Sequence, residues 1–288
     1  MNVFSRSWHI AKLSFSVINK DRELLWFALL SFIFSSIFSI AMIVPSVLPD
    51  IIDGQPVGSL EVYQYVIIFL TYFGLAFIAT FFNVCVVYTA KIRFEGGNAT
   101  FGESFQFALS RIGLIAQWSL LSASVGLLLR LLEQLASTFG KVGEIVARII
   151  IGLLGAAWSI ATIFVVPILV YDGLGPIEAV KKSMRAVKET WGENIVKSLG
   201  MGLMTFLAFV VVIAGGSGLT VLLSNLFDVP GMLTGLVILA CMVLFTGLVF
   251  KVANTIFSTA LYVYANEQIV AADFDEEVIK GAFKPKKK

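Results

Sequence analysis

The chain has 288 residues, of which 58% are hydrophobic and 14% are charged, and its formal net charge is +2. Soluble domains carry about 25% charged residues, so this composition excludes an ordinary water-soluble protein. The near-neutral charge, and the confinement of the basic residues to a few segments, argue against nucleic acid as a partner.

Histidine and cysteine are too few and too scattered to build the common catalytic or metal sites. His9 is the only histidine, so an HExxH zinc helix lacks its second ligand. Cys85 and Cys241 both lie in apolar stretches without a closely spaced partner, and we interpret them as small core residues. We predict no cofactor, no metal and no catalytic residue.

Six apolar stretches are long enough to cross a bilayer as helices. About 20 residues span a hydrocarbon core of roughly 30 Å at 1.5 Å per residue. The predicted fold is therefore all-α, a polytopic helical membrane domain over residues 1–270 followed by a charged cytoplasmic tail at 271–288. The predicted spans, in chain order, are 24–44, 62–90, 112–132, 145–171, 195–223 and 232–263.

The distribution of basic residues predicts the orientation in the membrane. Of the 21 Lys and Arg residues, 17 lie before the first span, in two alternate loops, or after the sixth span. Because Lys and Arg accumulate in cytoplasmic loops, both termini should be cytoplasmic. The opposite connections are short and contain the helix breakers Pro45, Pro49, Pro56 and Pro230, so we expect no domain there.

A helix with one apolar stripe is predicted before each of three hairpins of spans. Thr100 and Glu103 have the spacing of a capping box for the second helix, and Pro176 suits the first position of the third. Basic and apolar residues on one helix suit the headgroup layer, and packing beneath the bundle is the alternative. The stripes comprise Phe4, Trp8, Ala11, Phe15 and Ile18; Phe105, Leu109 and Ile112; and Ile177, Val180, Met184, Val187 and Trp191. The predicted lipid-headgroup contacts are Lys181, Lys182, Arg185 and Lys188.

Two charge pairs frame the second outer turn. Arg130 and Glu133 lie three residues apart near the end of the third span, and Glu144 and Arg148 lie four apart at the start of the fourth. Such spacings permit ion pairs within a helix. We predict that these four residues fix the hairpin structurally, with a substrate site as the alternative.

Two spans contain residues that disturb helices. Pro167 should kink the fourth span, because proline removes a backbone hydrogen bond. Gly215, Gly216 and Gly218 interrupt the fifth span, where they would either unwind the helix, as in transporters, or end it. Their position, about 30 Å along the span, favours a helix end near the outer surface.

Lys251 is a charged residue inside the sixth apolar stretch. A charge within a membrane span is costly and often functional. Its long side chain either extends to the headgroups or lies buried beside an acceptor such as Asn83 or Asn254. In the second case, Lys251, Asn254 and Asn83 are the candidate contacts for an ion or a ligand.

The order of amphipathic helix, span, outer turn and span occurs three times along the chain, which suggests an internal repeat. Thr80, Thr162 and Thr255 each begin a Thr-apolar-Phe triplet in the second span of a hairpin. Chance similarity between apolar segments is the alternative. A true repeat predicts a pseudo-symmetric bundle.

Two parts of the chain resemble a known group of membrane proteins. They are Arg6–Trp8 with Lys20–Leu25, and Pro176–Ser183 leading to Trp191. These segments resemble uncharacterised prokaryotic six-span membrane proteins, a family defined as a domain of unknown function. The layout is similar to the membrane domain of some bacterial glycerophosphodiester phosphodiesterases. The sequence lacks the acidic and histidine cluster of such an enzyme, so the resemblance does not imply hydrolysis.

The sequence therefore predicts a non-enzymatic, multi-pass protein of a prokaryotic cytoplasmic membrane. Its basic inner surface favours a scaffold, lipid-organising or accessory-subunit role. Membrane lipids are the predicted partners, with a membrane protein or a second copy of the chain as further candidates. The alternative is a transporter or channel for a small or lipidic solute. An enzyme would need a site built from carboxylates such as Asp172 and Glu178. The spacing of these residues in the sequence does not indicate that they form a pair.

Overall fold

Helices account for almost all of the chain that the structure describes. The structure is a computed structural model, and it describes residues 3–52, 62–138, 140–191 and 200–267. Every regular element within these ranges is an α-helix, which satisfies backbone hydrogen bonds without water. The helices are α1 (Val3–Lys20), α2 (Glu23–Ile52), α3 (Val62–Phe94), α4 (Phe101–Ser110), α5 (Ile112–Ala136), α6 (Gly140–Ala161), α7 (Val165–Tyr171), α8 (Pro176–Trp191) and α9 (Gly200–Glu267).

Among the described residues, five helical segments are long and apolar enough to cross a bilayer, judged by length and composition. They are Glu23–Pro45, Tyr65–Phe94, Ile112–Ala136, Gly140–Tyr171 and Gly202–Asn266. This confirms the prediction of a helical membrane protein. The predicted start of the fifth span, at 195–199, and the predicted tail at 271–288 lie outside the described residues.

The first candidate span, Glu23–Pro45, agrees with the predicted span 24–44. Helix α2 itself continues through Pro45 and Pro49 to Ile52, although both prolines are predicted from the sequence to be helix breakers. Because the two prolines lie four residues apart, the hydrogen bonds that they remove fall on one side of the helix. The bonds on the other side remain available to hold the last turns. Pro56 lies outside the described residues.

Helix α9 contains a sharp reversal that separates two arms, residues 200–226 and 229–267. Phe227 and Asp228 have non-helical backbone angles, and Asp228 adopts φ 52° and ψ −134°. Pro230 follows directly, at the start of the second arm, where its missing amide hydrogen is least costly. The longest apolar helix is therefore a hairpin of two arms.

Glycines allow the two arms of α9 to approach closely in an antiparallel arrangement. A Cβ built on Gly235 would lie 2.6 Å from the Cα of Thr220, and one built on Gly216 would lie 2.5 Å from Cδ1 of Leu239. The predicted helix end at the glycine run 215–218 is wrong, because α9 remains helical through it. Gly216 serves packing, as small residues do between membrane helices.

The close approach of the arms predicts that Gly235→Ala destabilises the protein. The added methyl group overlaps backbone rather than a flexible side chain, and overpacking of this kind costs about 1–3 kcal/mol. The expected result is a lower unfolding temperature of the purified chain in detergent.

Gly215→Ala is the matched control, because nothing lies within 4 Å of the Cβ that it adds. Alanine has a higher helix propensity than glycine. The variant should therefore have the same stability as the natural chain or be more stable by up to about 1 kcal/mol. Equal unfolding temperatures for the two variants would contradict the packing of the arms.

The fourth candidate span is divided where the sequence predicts a kink. Helix α6 ends at Ala161 and α7 begins at Val165. Pro167 has no amide hydrogen to donate to the preceding turn, and its ring crowds the carbonyl four residues earlier. The buried amide of Phe164 instead donates to Ser183 Oγ of α8, at 3.2 Å. The predicted interruption is confirmed, and a side chain of another helix supplies a hydrogen bond at the break.

The predicted capping box begins α4. Thr100 Oγ1 accepts a hydrogen bond from the Glu103 amide at 3.3 Å, and Glu103 Oε2 accepts one from the Thr100 amide at 2.8 Å. Two hydrogen bonds hold the pKa of Glu103 below its ordinary value of 4.5. The larger effect comes from the bond with the Thr100 amide, and the smaller from the bond with the Thr100 side chain. The cap is therefore strongest when Glu103 is ionised.

The lowered pKa of Glu103 predicts that the start of α4 loosens in acid. The ionised carboxylate stabilises the folded cap fully above pH 4.5, and this contribution is lost as the pH falls through the lower, folded-state pKa. Hydrogen exchange at the first amides of α4, corrected for intrinsic rates, should show less protection in acid. Glu103→Gln is the control, and a pH dependence that persists in it would contradict the assignment.

The described residues form two compact units. The first contains the described residues of Met1–Ala28, Thr89–Asn98 and Glu189–Lys288. The second contains those of Leu29–Tyr88 and Ala99–Lys188. Each unit is therefore assembled from segments that are distant in sequence.

In the first unit, α1 packs along α9. Ala11 and Ile18 of the predicted stripe are buried, and Phe15 meets Phe250 edge to face with ring centroids 5.4 Å apart. Trp8 is 59% exposed, and the side chain of Phe4 lies outside the described residues. The stripe of α1 therefore faces the protein over most of its length, as the packing alternative predicts.

Aromatic rings fill much of the second unit. Phe105 of α4 meets Phe81 of α3 edge to face at 5.1 Å, and Trp118 stacks on Trp158 at 6.0 Å. The other two members of the predicted α4 stripe, Leu109 and Ile112, are exposed. Packing therefore uses only one residue of that stripe.

Candidate functional site

Helix α8 begins where the sequence predicts it, after the corner that follows α7. Pro176 occupies its first position, and the Ala179 amide donates to the Gly175 carbonyl at 2.8 Å. Gly173 adopts φ 64°, a left-handed conformation that favours glycine after a helix. These residues fix the direction in which α8 leaves the corner.

One side of α8 is buried and bound to neighbouring segments of the second unit. Ser183 is fully buried, and its hydroxyl accepts the hydrogen bond from the Phe164 amide. Lys182 Nζ donates to Asp172 Oδ1 at 2.9 Å. Lys182, a predicted headgroup contact, is thus engaged in an ion pair within the protein. These two contacts hold α8 in a fixed orientation.

The opposite side of α8 combines positive charge with apolar surface. Ile177 and Met184 are 62% and 53% exposed, and the neighbouring Lys181, Arg185 and Lys188 are exposed too. At about 100° per residue, these five side chains fall within roughly 100° of the helix circumference. We name these five residues the α8 basic surface.

The structure corrects the predicted apolar stripe of α8. Val187 is buried and Val180 is half-buried, whereas Ile177 and Met184 lie among the basic residues. The buried side of α8 contains the small residues Ala179 and Ser183. Small residues let α8 approach the α6–α7 break closely enough for the hydrogen bond between Ser183 and Phe164. The side chain of Trp191 lies outside the described residues.

Arg111, between α4 and α5, lies against the corner before α8. A Cβ built on Gly173 would lie 2.6 Å from Nη1 at the flexible end of Arg111, so the guanidinium would have to shift, and the φ of 64° is the stronger reason for glycine there. The guanidinium carbon of Arg111 lies 5.5 Å from the ring centroid of Phe107, within cation–π range. From the sequence, Arg111 counts only among the basic loop residues that predict orientation. No nearby sequence pattern indicates that it contacts Gly173.

The three predicted ligand contacts are divided between the two units. Lys251 and Asn254 are exposed on α9 in the first unit, and Asn83 is half-buried on α3 in the second. The Lys251 carbonyl accepts a hydrogen bond from Thr255 Oγ1 at 3.1 Å, within its own helix. A role for these residues in binding an ion or a ligand stays a prediction.

Both predicted charge pairs form ion pairs within their helices. Arg148 Nη2 lies 2.7 Å from Glu144 Oε1, and Arg130 Nη1 lies 3.5 Å from Glu133 Oε2. The arginine side chains are 65% and 62% exposed, and exposed pairs contribute about 0–1 kcal/mol in water. Their role in fixing the hairpin stays a prediction.

A bidentate ion pair that sequence reasoning missed joins the turn after α1 to the end of α3. Arg93 Nε donates to Asp21 Oδ2 at 2.7 Å, and Arg93 Nη2 binds the other carboxylate oxygen. Nη2 also donates to Asn98 Oδ1 at 2.7 Å. The Asp21 side chain is only 2% exposed. The partners are 72 residues apart, so the only local signal is an acidic residue between Lys20 and Arg22.

The burial of Asp21 predicts that Arg93→Ala is strongly destabilising. Removing one partner of a buried pair leaves an uncompensated charge and costs about 3–5 kcal/mol. The measurement is the unfolding temperature in detergent. Arg148→Ala is the control, with an expected loss below about 1 kcal/mol because that pair is exposed.

A double-mutant cycle with Asp21→Ala provides the stricter check. Removing both charges should recover part of the loss, because no unpaired carboxylate then remains buried. Additive losses for Asp21→Ala and Arg93→Ala would contradict a direct energetic coupling.

Cysteine and metal chemistry can be assessed for the described residues. Cys85 is buried as predicted, whereas Cys241 is exposed on α9. The interpretation of Cys241 as a core residue is therefore wrong, because its position is on the outside of the helix. Among the described residues, no group of three or more His, Cys, Asp or Glu side chains is arranged to hold a metal ion.

Comparison with known proteins identifies a family but no activity. The family model of DUF6159, a family of unknown function, matches residues 62–271. No curated protein and no solved structure matches the chain. The matched range includes α3 to α9, and with them Arg93, Arg111 and the α8 basic surface. The similarity of layout to the phosphodiesterase membrane domain stays a prediction.

Proposed function

The chain belongs to the DUF6159 family, whose function is unknown, and we propose that it is a non-enzymatic integral membrane protein that organises lipid at the cytoplasmic leaflet. In this role it also serves as a scaffold or accessory subunit for another membrane protein or a second copy. The membrane is that of a prokaryotic cell, as the sequence resemblance implies. Membrane lipids are its first partners.

The α8 basic surface is the observation that supports this proposal most directly. The hydrogen bond of Ser183 and the ion pair of Lys182 hold one side of α8, so the other side is presented outward. Each Lys or Arg near an anionic membrane surface contributes about 1 kcal/mol, so the three basic residues together contribute about 3 kcal/mol before screening by salt. Ile177 and Met184 add apolar surface that suits the boundary between headgroups and acyl chains.

The proposed topology has six crossings. Four are the first four candidate spans, and the other two are the arms of α9. The reversal at Phe227 and Asp228 supports counting the arms separately, because each exceeds the roughly 20 residues that a crossing needs. An even number of crossings leaves both ends of this chain on one side, and the basic residues favour the cytoplasmic side.

A threefold repeat is part of the proposed architecture, and two contacts at corresponding places support it. Asp21, between α1 and α2, binds Arg93 at the end of α3. Arg111, between α4 and α5, lies against Gly173 just after α7. In both cases the junction after an amphipathic helix meets the end of the second span that follows it. The chemistry differs, so the likeness lies in position alone.

Replacing Lys181, Arg185 and Lys188 together by alanine tests the proposal. The full chain would be reconstituted in nanodiscs of phosphatidylcholine and phosphatidylglycerol at low salt, and the lipids that remain bound after gentle release would be identified by mass spectrometry. Removing about 3 kcal/mol of attraction should lower the apparent affinity for phosphatidylglycerol by about tenfold or more.

Two controls separate charge from other effects. The variant Lys181→Arg/Arg185→Lys/Lys188→Arg keeps the charge and should retain the enrichment. Lys141→Ala removes an exposed lysine from another helix and should change nothing. Equal phosphatidylglycerol enrichment in all variants would overturn the lipid-organising role. Solute flux in proteoliposomes that depends on Lys251 would instead establish the transporter or channel alternative.

A further inference from the structure

An open apolar groove lies between α1 and both arms of α9 in the first unit. Its volume is about 480 Å³. Trp8, Ala11 and Phe15 of α1 form one wall, and the arms of α9 form the others, with Ala208 on the first arm and Thr246 on the second. The groove thus joins an amphipathic helix to a segment that is apolar enough to span the membrane.

The walls of the groove offer hydrocarbon almost exclusively. Among the lining residues that the structure describes, only Trp8 and Thr246 have polar side chains. The Thr246 hydroxyl donates to the Met242 carbonyl at 2.8 Å, so its proton is already used within the helix. Trp8 is 59% exposed, which places it at the opening. A molecule in the groove must therefore be apolar along its length.

The size of the groove suits a single small molecule. Its volume lies within the range of about 300–1,000 Å³ that is typical of such sites.

Helix geometry places a positive charge one turn from Trp8 on α1. Lys12 is exposed and follows Trp8 by four residues, so it projects from the same side of α1 one turn further along. An apolar channel with a cation at its rim is complementary to a molecule with an apolar chain and an anionic head. Phospholipids of the surrounding bilayer have this chemistry.

We propose that the groove binds one acyl chain of an anionic phospholipid, with the phosphate of its headgroup beside Lys12. This inference rests on the proposed lipid-organising function and names a specific lipid site for it. The bound lipid would fill space between α1 and the two arms, and so stabilise their packing.

Photo-crosslinking tests the site in the full chain. The probe is phosphatidylglycerol with a diazirine in its acyl chain, added to phosphatidylcholine nanodiscs that contain the protein. Labelled peptides of α1 and α9 would be compared by mass spectrometry with those of α6, whose exposed Ile149 and Leu153 report contact with bulk lipid. We expect preferential labelling around the groove.

Two variants fill the groove from opposite walls. Ala208→Trp and Thr246→Phe should each reduce groove labelling to the level of α6. Ala240→Trp is the matched control, since it adds the same ring at an exposed position of α9 outside the groove. Lys12→Gln leaves the packed walls intact, and it should reduce labelling to that seen with diazirine-bearing phosphatidylcholine.

The outcomes separate this site from the wider function. Groove labelling equal to that of α6, or unchanged by both filling variants, overturns the site. Crosslinks from the groove to a second copy of the chain also overturn it and assign the groove to a protein contact. The alanine variant of the α8 basic surface should leave groove labelling intact. If the unmodified chain shows no preferential groove labelling but still enriches phosphatidylglycerol, the site is refuted and the proposed function stands.

Discussion

Backbone amides that enter hydrocarbon must find their hydrogen-bond partners inside the protein, because lipid offers none. This constraint explains why helices dominate the described residues, and it makes each interruption informative. At the α6–α7 break, the amide of Phe164 is satisfied by Ser183, a residue of a different helix. In α9 the chain reverses at Phe227 and Asp228, between two long arms, so most of each arm keeps its regular bonds. The architecture therefore depends on where the helices are interrupted and on which groups satisfy the backbone there.

The burial of each charged residue depends on whether it has a partner of opposite charge. Asp21 is almost completely buried and is balanced by Arg93, which binds both of its carboxylate oxygens. Lys182 is neutralised by Asp172, whereas the basic side chains at the exposed side of α8 are directed outward. The two units thus expose different surfaces. The first has an apolar groove, and the second has the α8 basic surface.

The sequence predicts the features that depend on local patterns. Apolar length identified the membrane-spanning helices, the Thr100–Glu103 spacing identified a cap, and Pro167 marked a break. Local patterns could not reveal that Asp21 meets Arg93, because pairing across 72 residues depends on how helices assemble. They also failed where packing overrides propensity. The glycine run of α9 stays helical because Gly216 lies against the opposite arm.

The hydrogen bond between Phe164 and Ser183 makes α8 and the fourth candidate span mechanically dependent on each other. Lifting α8 out of place would leave a buried amide without its acceptor, at a cost of about 1–3 kcal/mol. A displacement of α8 would therefore reach the α6–α7 break through the Ser183 hydroxyl and the end of α7 through the ion pair of Lys182 and Asp172. Conversely, a change in bilayer thickness that alters the tilt of α6 would displace α8. The position of α8 and the geometry of the break in the fourth candidate span are thus linked.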